Sequence, residues 1–386
     1  MEKKLKIIDG NHAAAECMSL VEPDVIAAYP ITPTTYIMEA FSKYQADAKV
    51  KTELVLVESE HAAMSACVGV TAGGGRSMTA TASQGLILMH EVLFNASGMR
   101  LPIVLFVGNR TVGAPLSIHG DHSDVMATRD SGFIQFFADS AQEVLDLGIQ
   151  AVRIAENKKV STPVAVNFDG FDVTHMVQNV TSYSREDVQK FVGEYQANFP
   201  LFNLEKPVSY GGFDKPDYLM EHKRSQEEGM NNAPEVIRAV GKEFTKKFQG
   251  ENYESPVEIY GDPQAEKIIV VLGSASKTCR GAIKENEAVL KIRLFRPFPK
   301  DEILEALQGR KQVAILDRVA PSGAFGGPLF AEIRNALFGT KEDLPKICNF
   351  IFGLGGREFS VSDASDILQN LDKFKDGEVK WIGVRE

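Results

Sequence analysis

Short apolar runs alternate with amphipathic stretches through most of the chain, and this alternation restricts the possible folds more than any other feature of the sequence. Near-continuous apolar strands separated by helices are typical of a parallel sheet that is covered on both faces. In the first half, the predicted strands are Val25–Ala28, Leu54–Val57, Ser77–Ala82, Ile103–Val107, Ile134–Ala138 and Val164–Phe168. The predicted helices are Thr34–Tyr44, His61–Thr71, Leu86–Ser97, Ser123–Ser131 and Ala141–Glu156. The first half is therefore predicted to be an open α/β domain.

A second, smaller series of the same kind occupies the C-terminal part of the chain. Its predicted strands are Lys267–Leu272, Leu290–Leu294, Val313–Leu316 and Ile347–Ile351. Its predicted helices are Ser276–Glu287, Asp301–Leu307, Gly326–Leu337 and Ala364–Phe374. Parallel strands separated by helices predict a second three-layer domain of ordinary size. The fold class is therefore α/β, with two open parallel-sheet domains.

The stretch between the two series has a different character. After one predicted helix, Arg185–Gln196, it is polar and carries several prolines and glycines, which indicates an ordered connector rather than a packed domain. The next helix is predicted to begin at Asn232, whose side chain can cap free amides. Glu235, three residues later, can complete a capping box by hydrogen-bonding back to the Asn232 amide. We therefore predict a first domain at residues 1–175, a connector at 176–231 and a second domain at 232–386.

Composition excludes several classes of function. The formal net charge of −10 argues against a nucleic-acid surface, which normally carries a basic patch. No window is apolar and long enough to insert in a membrane. The four cysteines lie far apart without a CxxC pair, so they are predicted to be buried free thiols in a cytoplasmic protein. Any iron–sulfur cluster or structural zinc would then be held by another chain.

The stretch from Tyr29 to Glu60 places polar groups where two predicted parallel strands end. Pro30 and Pro33 bracket Thr32, which leaves a hydroxyl on a stiff turn, and the acids Glu58 and Glu60 precede an alanine-rich helix. Open α/β sheets bind ligands at the carboxyl ends of their strands. The alternatives are a turn that is merely pinned by proline and acids that only favour a helix start.

Arg110 follows another predicted strand at the same edge of the sheet. Its guanidinium group can bind a carboxylate through two parallel hydrogen bonds. Together with the Thr32 hydroxyl, it would form a clamp for an oxoacid. The alternative is a surface arginine in a solvated ion pair.

Three other motifs were weighed against simpler structural interpretations. The loop from His119 to Asp124 is rich in metal-ligand residue types, but adjacent loop positions rarely converge on one ion, so loop order or active-site lining is favoured over a metal. The glycine-rich turns around Gly326 and Gly355 lack a nucleotide-binding spacing. Near the N-terminus, Asn11 is predicted to cap the first helix. Neither a Ser-His-Asp elbow nor an HExxH motif is present, which argues against a self-contained hydrolase.

Taken together, seven motifs resemble the α subunit of the pyruvate:ferredoxin oxidoreductases, in order and spacing and over nearly the whole chain. They are Asp9-Gly10-Asn11, Tyr29-Pro30-Ile31-Thr32-Pro33, Glu58-Ser59-Glu60-His61, Gly108-Asn109-Arg110, Gly120-Asp121-His122, Phe168-Asp169-Gly170-Phe171 and Phe295-Arg296-Pro297-Phe298-Pro299. The family comprises the CoA-acylating 2-oxoacid:ferredoxin oxidoreductases, which use thiamine diphosphate. The connector around residues 210–231 matches least well.

The resemblance implies a thiamine-diphosphate-binding domain of the pyrimidine type, followed by a domain like the C-terminal domain of transketolases. It also implies that the enzyme is divided among chains. The β subunit would bind the diphosphate and Mg²⁺ and carry a 4Fe-4S cluster, while ferredoxin-like γ and δ subunits complete the complex. Coenzyme A would be the co-substrate, and ferredoxin or flavodoxin would accept the electrons.

The resemblance also implies roles for particular residues. Glu60 corresponds to the glutamate that activates the cofactor through the aminopyrimidine ring nitrogen, and Pro30 and Ile31 belong to the cofactor-binding turn. Thr32 and Arg110 would hold the substrate oxygens. Asp121 and His122 are expected to line the same cavity, and no metal site is expected on this chain.

Relatives that act on oxalate replace the threonine of the Pro-Ile-Thr-Pro turn, so the retained Thr32 argues against oxalate. Among the other 2-oxoacids, pyruvate is the favoured substrate. Branched, aromatic and dicarboxylic 2-oxoacids remain open. Two readings from other classes are also open: a non-catalytic scaffold subunit, and a thiamine enzyme without a redox step.

Overall fold

The computed structural model describes residues 3–338 and 344–385. Its strands are β1 Lys3–Ile8, β2 Val25–Ala28, β3 Glu53–Leu56, β4 Ser77–Thr81, β5 Val104–Asn109, β6 Ile134–Ala138, β7 Val164–Asp169, β8 Gln178–Tyr183, β9 Val257–Gly261, β10 Lys267–Leu272, β11 Glu287–Ile292, β12 Leu294–Arg296, β13 Gln312–Asp317, β14 Lys346–Ile351 and β15 Val379–Trp381. Its helices are α1 Gly10–Val21, α2 Thr35–Ala46, α3 Glu60–Gly73, α4 Ser83–Leu88, α5 His90–Gly98, α6 Ser123–Ala127, α7 Ala141–Ala155, α8 Arg185–Val192, α9 Leu219–Phe248, α10 Ala275–Arg280, α11 Lys300–Leu307, α12 Pro328–Leu337 and α13 Val361–Asn370.

The first half of the chain builds a seven-stranded sheet in the order β12-β6-β7-β5-β4-β2-β3. Six strands are parallel, and every strand predicted there is present within a few residues of its predicted bounds. The central strands β4 and β5 are buried along their whole length, as expected for a sheet covered on both faces. One prediction needs correction: Leu86–Ser97 is not a single helix, because α4 ends at Leu88 and α5 starts at His90.

The second series forms a six-stranded sheet in the order β15-β14-β13-β10-β11-β9. The four predicted strands are present and parallel, and β15 and the antiparallel β9 extend the sheet at its two edges. Neither edge strand was predicted from the sequence, because both are short or partly exposed and carry little apolar periodicity. It also extended a predicted helix to Glu287, where β11 begins.

Strands β1 and β8 form a separate two-stranded antiparallel sheet. This pairing returns the chain to its N-terminus after the first sheet is complete, and the sequence did not predict it. The first helix is capped by Asp9, whose Oδ1 accepts a hydrogen bond of 2.9 Å from the His12 amide. The prediction that Asn11 is the cap is therefore wrong. Asn11 is the second residue of the helix and its side chain points elsewhere.

The long helix α9 begins at Leu219, so the prediction that this helix starts at Asn232 is wrong. Its apolar face packs into the core of the first half of the chain, where Phe244 and Phe248 contact the rings of Tyr183 and Phe191. The buried residues of the helix begin at Gly229, and its earlier turns are largely exposed, so Asn232 lies inside the helix and does not cap it. The division of the chain at residues 175 and 231 stays a prediction.

The two large sheets are joined by a buried ion cluster and by the short chain segment that connects β11 to β12. Lys291 Nζ lies 2.7 Å from both Asp139 Oδ2 and Glu143 Oε1, and Arg293 Nε lies 2.8 Å from Glu143 Oε1. Immediately after Arg293 the chain leaves the second sheet, and β12 pairs antiparallel with β6 of the first sheet. These contacts fix the two sheets relative to each other. No helix in the described residues is long and apolar enough to cross a membrane.

Candidate active site

The turn between β2 and α2 is held in place from several sides. Thr34 Oγ1 donates a hydrogen bond of 3.0 Å to the Ile31 carbonyl, and Asn11 Nδ2 donates one of 2.8 Å to the Pro33 carbonyl. Within this turn Thr32 and Pro30 are exposed and Ile31 is half-buried. The fixed backbone therefore presents the Thr32 side chain at the surface of the chain. No sequence pattern predicts the hydrogen bond from Asn11 to the turn, because the two are distant in the chain.

Arg110 follows β5, and its side chain contacts this turn. Its Nη1 donates a hydrogen bond of 2.9 Å to the Thr32 carbonyl, and its Nε donates one of 3.0 Å to the Ser117 carbonyl. In the described part of the chain Nη2 has no hydrogen-bond partner. Burial lowers the pKa of Arg110 from its ordinary value, and the nearby charge of Asp124 opposes that shift. The structure thus brings the two predicted clamp residues together and leaves one guanidinium nitrogen available.

Glu60 is the first residue of α3, a helix capped by Ser59, whose hydroxyl accepts a hydrogen bond from the Ala62 amide. The Glu60 side chain is buried, and no hydrogen bond to it is formed by residues 3–338 or 344–385. It lies against Gly85 of α4, where a Cβ atom would clash with Glu60 Oε1 and with Thr81 Oγ1. The hydroxyl of Thr81 is buried without a partner as well.

These features fit the aminopyrimidine of thiamine diphosphate. No described residue hydrogen-bonds the Glu60 carboxyl group, so its oxygens are available to a partner from outside the chain. A ring nitrogen of the cofactor is a suitable partner. The absence of a side chain at Gly85 allows the Glu60 carboxyl group to lie directly against α4. The residues present therefore fit the cofactor.

Asp124 connects the surroundings of Glu60 and Arg110, and the sequence did not identify this role. Its buried carboxylate accepts backbone hydrogen bonds from Ser83 at 2.9 Å and from Arg110 at 3.0 Å. Burial raises the pKa of Asp124 to about 6, although these amide donors favour the ionised form. The sequence placed Asp124 in a polar loop and at a helix start, and only the fold shows which amides face it.

Asp121 and His122 lie in the contact between the two sheets. Asp121 Oδ1 accepts from the Ser123 amide and hydroxyl, while Oδ2 accepts from the Gly355 amide at 3.1 Å. His122 Nε2 lies 2.8 Å from Asp169 Oδ1. Both side chains are buried, and these contacts occupy both carboxylate oxygens of Asp121 and Nε2 of His122. Their predicted role in lining a substrate cavity stays a prediction.

Asp169 is the centre of this inter-sheet contact. Its carboxylate also accepts a hydrogen bond of 2.7 Å from the Ser274 amide and lies 3.1 Å from Arg318 Nη1. Burial opposes ionisation, but the charge of Arg318 and the contact with His122 hold the pKa of Asp169 well below its ordinary value. The described residues contain no group of three or more His, Cys, Asp or Glu side chains that could hold a metal ion.

Comparison with protein families gives two adjacent matches. Residues 16–242 match the thiamine diphosphate-binding domain of pyruvate flavodoxin/ferredoxin oxidoreductase. Residues 265–364 match core domain II of pyruvate:ferredoxin oxidoreductase. The first match contains Thr32, Glu60 and Arg110.

Full-length relatives agree with these matches. The chain is 45% identical to pyruvate synthase subunit PorA of Thermotoga maritima, over 98% of each chain. It is 43% identical to the subunit of the same name from Methanocaldococcus jannaschii, over 99% of each chain. It is 36% identical to ketoisovalerate oxidoreductase subunit VorA of Pyrococcus horikoshii, over 98% of each chain.

Two solved structures share the fold. A 2-oxoglutarate:ferredoxin oxidoreductase from Magnetococcus marinus matches with a TM-score of 0.72 at 18% identity, over 95% of this chain and 65% of that one. A split-gene transketolase matches with a TM-score of 0.55 at 12% identity, over 95% of this chain and 99% of that one. The predicted α/β fold class of thiamine enzymes is thereby confirmed. The chain belongs to the pyruvate flavodoxin/ferredoxin oxidoreductase family, as an α-type subunit with the family's thiamine diphosphate-binding domain.

Proposed function

We propose that this chain is the α subunit of a pyruvate:ferredoxin oxidoreductase, which converts pyruvate and coenzyme A into acetyl-CoA and CO₂ and passes two electrons to ferredoxin or flavodoxin. The full-length identity to two pyruvate synthase subunits supports this substrate. The observation that carries the proposal is the contact of Arg110 with Thr32, at the edge of the sheet where the buried Glu60 receives no hydrogen bond from the described residues.

In this proposal each of the three residues has a defined task. Glu60 donates or accepts the hydrogen bond at the pyrimidine ring nitrogen, which activates the bound cofactor. The free Nη2 of Arg110 binds the substrate carboxylate, because a guanidinium group and a carboxylate form strong charge-assisted hydrogen bonds. The Thr32 hydroxyl hydrogen-bonds a second substrate oxygen. Thiamine diphosphate supplies the electron sink for cleavage of the bond to the carboxyl carbon.

The remaining parts of the enzyme are proposed to lie on partner chains. A β subunit would bind the diphosphate and Mg²⁺ and carry a 4Fe-4S cluster, and γ and δ ferredoxin-like subunits would pass the electrons on. The dispersed cysteines are consistent with this division, because Cys17, Cys67, Cys279 and Cys348 are all buried free thiols in the structure. Burial raises the pKa of Cys67 to about 11, which disfavours the thiolate form that metals require.

The test is to purify the native complex and to measure its activity on a panel of 2-oxoacids, with coenzyme A and a viologen dye as electron acceptor. We expect strong dye reduction with pyruvate and a brown, thiamine-loaded complex. A colourless protein without partners would contradict the proposal, and it would favour a scaffold or a thiamine enzyme without a redox step.

A branched 2-oxoacid is the second candidate substrate, because the chain is also 36% identical to a ketoisovalerate oxidoreductase subunit. The same panel separates the two candidates. Faster dye reduction with 2-oxoisovalerate than with pyruvate, compared by kcat/KM, would select the branched substrate.

A further inference from the structure

The carboxylate of Asp124 lies where the pairing of two central strands stops. The ladder between β4 and β5 has Thr81 and Val107 as its last pair. Beyond that pair, Asp124 Oδ2 accepts one hydrogen bond from the Ser83 amide, at 2.9 Å, and another from the Arg110 amide, at 3.0 Å. A single side-chain oxygen therefore continues the connection between the two strands after the ladder has ended.

The other oxygen of the same carboxylate is also fully used. Asp124 Oδ1 accepts from Asn109 Nδ2 at 3.2 Å and from the Val125 amide at 2.7 Å. All four partners are N–H donors, and the side chain is completely buried. An aspartate can accept all four hydrogen bonds. An asparagine cannot, because its amide group would turn N–H donors towards two of them.

The two residues whose amides bind Asp124 are each connected to a different part of the proposed site: Ser83 to the surroundings of Glu60, and Arg110 to the turn that contains Thr32. Two residues after Ser83, Gly85 lies against the carboxyl group of Glu60. The side chain of Arg110 donates to the Thr32 carbonyl. Ser83 itself has a φ of 50°, a left-handed conformation that a serine adopts only when its surroundings hold it there.

We propose that Asp124 is a positioning residue, which sets the separation between the cofactor-activating Glu60 and the substrate-binding Arg110. The inference rests on the proposed function for the roles of those two residues. Asp124 itself touches neither substrate nor cofactor. Its effect acts through the Ser83 and Arg110 amides, so loss of the carboxylate should disturb cofactor binding and substrate binding together.

The experiment compares the complete complex carrying Asp124→Asn with the wild-type complex. Four quantities are measured: the Kd for thiamine diphosphate by calorimetry on cofactor-depleted complex, the KM for pyruvate, the KM for coenzyme A and the melting temperature. We expect the Kd for thiamine diphosphate and the KM for pyruvate each to rise about tenfold, a change that corresponds to about 1.4 kcal/mol. The KM for coenzyme A should stay within about twofold.

Asp317 offers a matched control in the second sheet. It is as buried as Asp124 and accepts hydrogen bonds from the amides of Leu329 and Phe330 and from the side chain of Asn349. Asp317→Asn should lower the melting temperature about as much as Asp124→Asn does, because it too places an amide against N–H donors. It should leave all three binding constants unchanged.

The proposal is overturned if Asp124→Asn lowers the melting temperature and leaves the cofactor Kd and the pyruvate KM unchanged, as expected for Asp317→Asn. If the Asp124→Asn complex does not assemble, Asn109→Ala removes one of the four donors. It should raise both constants about threefold, and unchanged constants would overturn the proposal in the same way. The cofactor Kd requires no turnover, so it tests Asp124 even if the wild-type complex oxidises none of the 2-oxoacids.

Discussion

Both large sheets carry buried polar side chains at their carboxyl edges, but the two edges differ in how those side chains are hydrogen-bonded. At the edge of the first sheet, Glu60 and the hydroxyl of Thr81 are buried without hydrogen bonds from the described residues. The side-chain oxygen of Asn109 is also unpaired. Among the described residues, Nη2 of Arg110 likewise has no hydrogen-bond partner. These groups are therefore available to a ligand at this edge.

At the corresponding edge of the second sheet, the buried carboxylate of Asp317 is fully hydrogen-bonded by described residues. Asp317 Oδ1 accepts from the Leu329 amide, and Oδ2 accepts from the Phe330 amide and from Asn349 Nδ2. Asn349 Oδ1 in turn accepts from the Gly327 amide at 2.8 Å. The turn at Gly327 and the start of α12 are therefore hydrogen-bonded to the side chains of Asn349 and Asp317.

The difference between the two edges supports the proposed location of the active site at the first sheet. Buried polar groups in folded proteins are almost always hydrogen-bonded, so a set of unpaired groups at one strand edge marks a place where a ligand completes the structure. The paired Asp317 and Asn349 of the second sheet hold the start of α12 against β13 and β14, which is a structural role. Four substitutions test this comparison, from the largest expected effect to the smallest.

Glu60→Gln should nearly abolish turnover of the complex. The glutamine keeps the volume of the side chain but cannot exchange a proton with the cofactor ring, and loss of general acid–base catalysis typically costs about 10²- to 10⁴-fold in rate. Steady-state kcat measures the loss, and size-exclusion chromatography checks that the complex still assembles. Glu58→Gln is the control, since Glu58 is exposed and two residues away. Near-normal activity of Glu60→Gln would remove the proposed role from Glu60.

Arg110→Ala should raise the KM for the 2-oxoacid far more than the KM for coenzyme A. A hydrogen bond to a charged group contributes about 1.5–3 kcal/mol, which corresponds to about a 10- to 150-fold change in apparent affinity. Initial rates measured while each substrate is varied give the two constants. Equal increases in both would contradict the clamp formed by Arg110 and Thr32.

Gly85→Ala and Gly327→Ala compare the two edges directly. A Cβ at Gly85 would clash with Glu60, and a Cβ at Gly327 would clash with Asp317. Overpacking typically costs about 1–3 kcal/mol, so we expect Gly85→Ala to weaken thiamine diphosphate binding about tenfold. Gly327→Ala should lower the melting temperature by about 2–10 °C without changing cofactor affinity. Weaker cofactor binding in Gly327→Ala would show that the two edges are not functionally distinct.

Asp146, which lies at neither edge, provides a pH-dependent test of stability alone. Burial raises its pKa to about 7, although the hydroxyl groups of Tyr253 and Tyr183 donate to its carboxylate. The folded state therefore binds a proton more tightly than the unfolded chain. The resulting stabilisation is complete below about pH 4 and is lost as the pH rises through 7.

We therefore expect the stability of the wild-type complex, relative to Asp146→Asn, to decrease by a few kcal/mol between pH 4 and pH 8, since one pKa unit corresponds to about 1.4 kcal/mol. Melting temperatures of both complexes across this range provide the measurement. A difference that does not change with pH would show that Asp146 titrates as it does in the unfolded chain.

Most of the secondary structure followed from the sequence, because buried parallel strands require apolar runs that are visible without tertiary information. The elements that were missed lack such runs. Strand β1 is partly exposed, β12 has three residues, and β8 depends on its pairing with β1. The start of α9 was misplaced because Asn232 offers a local cap, and because the turns of the helix before Gly229 are largely exposed and show little apolar periodicity that would predict a start at Leu219.

The sequence by itself determined the residue types at the ends of the strands, and with them Thr32, Glu60 and Arg110 as candidates, because strand ends and proline turns are local features. Only the tertiary structure decided which of these groups meet. It joined Arg110 to Thr32, placed Asp121 and His122 in the contact between the sheets, and gave Asp124 its four donors. Hydrogen-bond partners that are distant in sequence depend on how the strands are ordered in the sheet, and local sequence patterns do not encode that order.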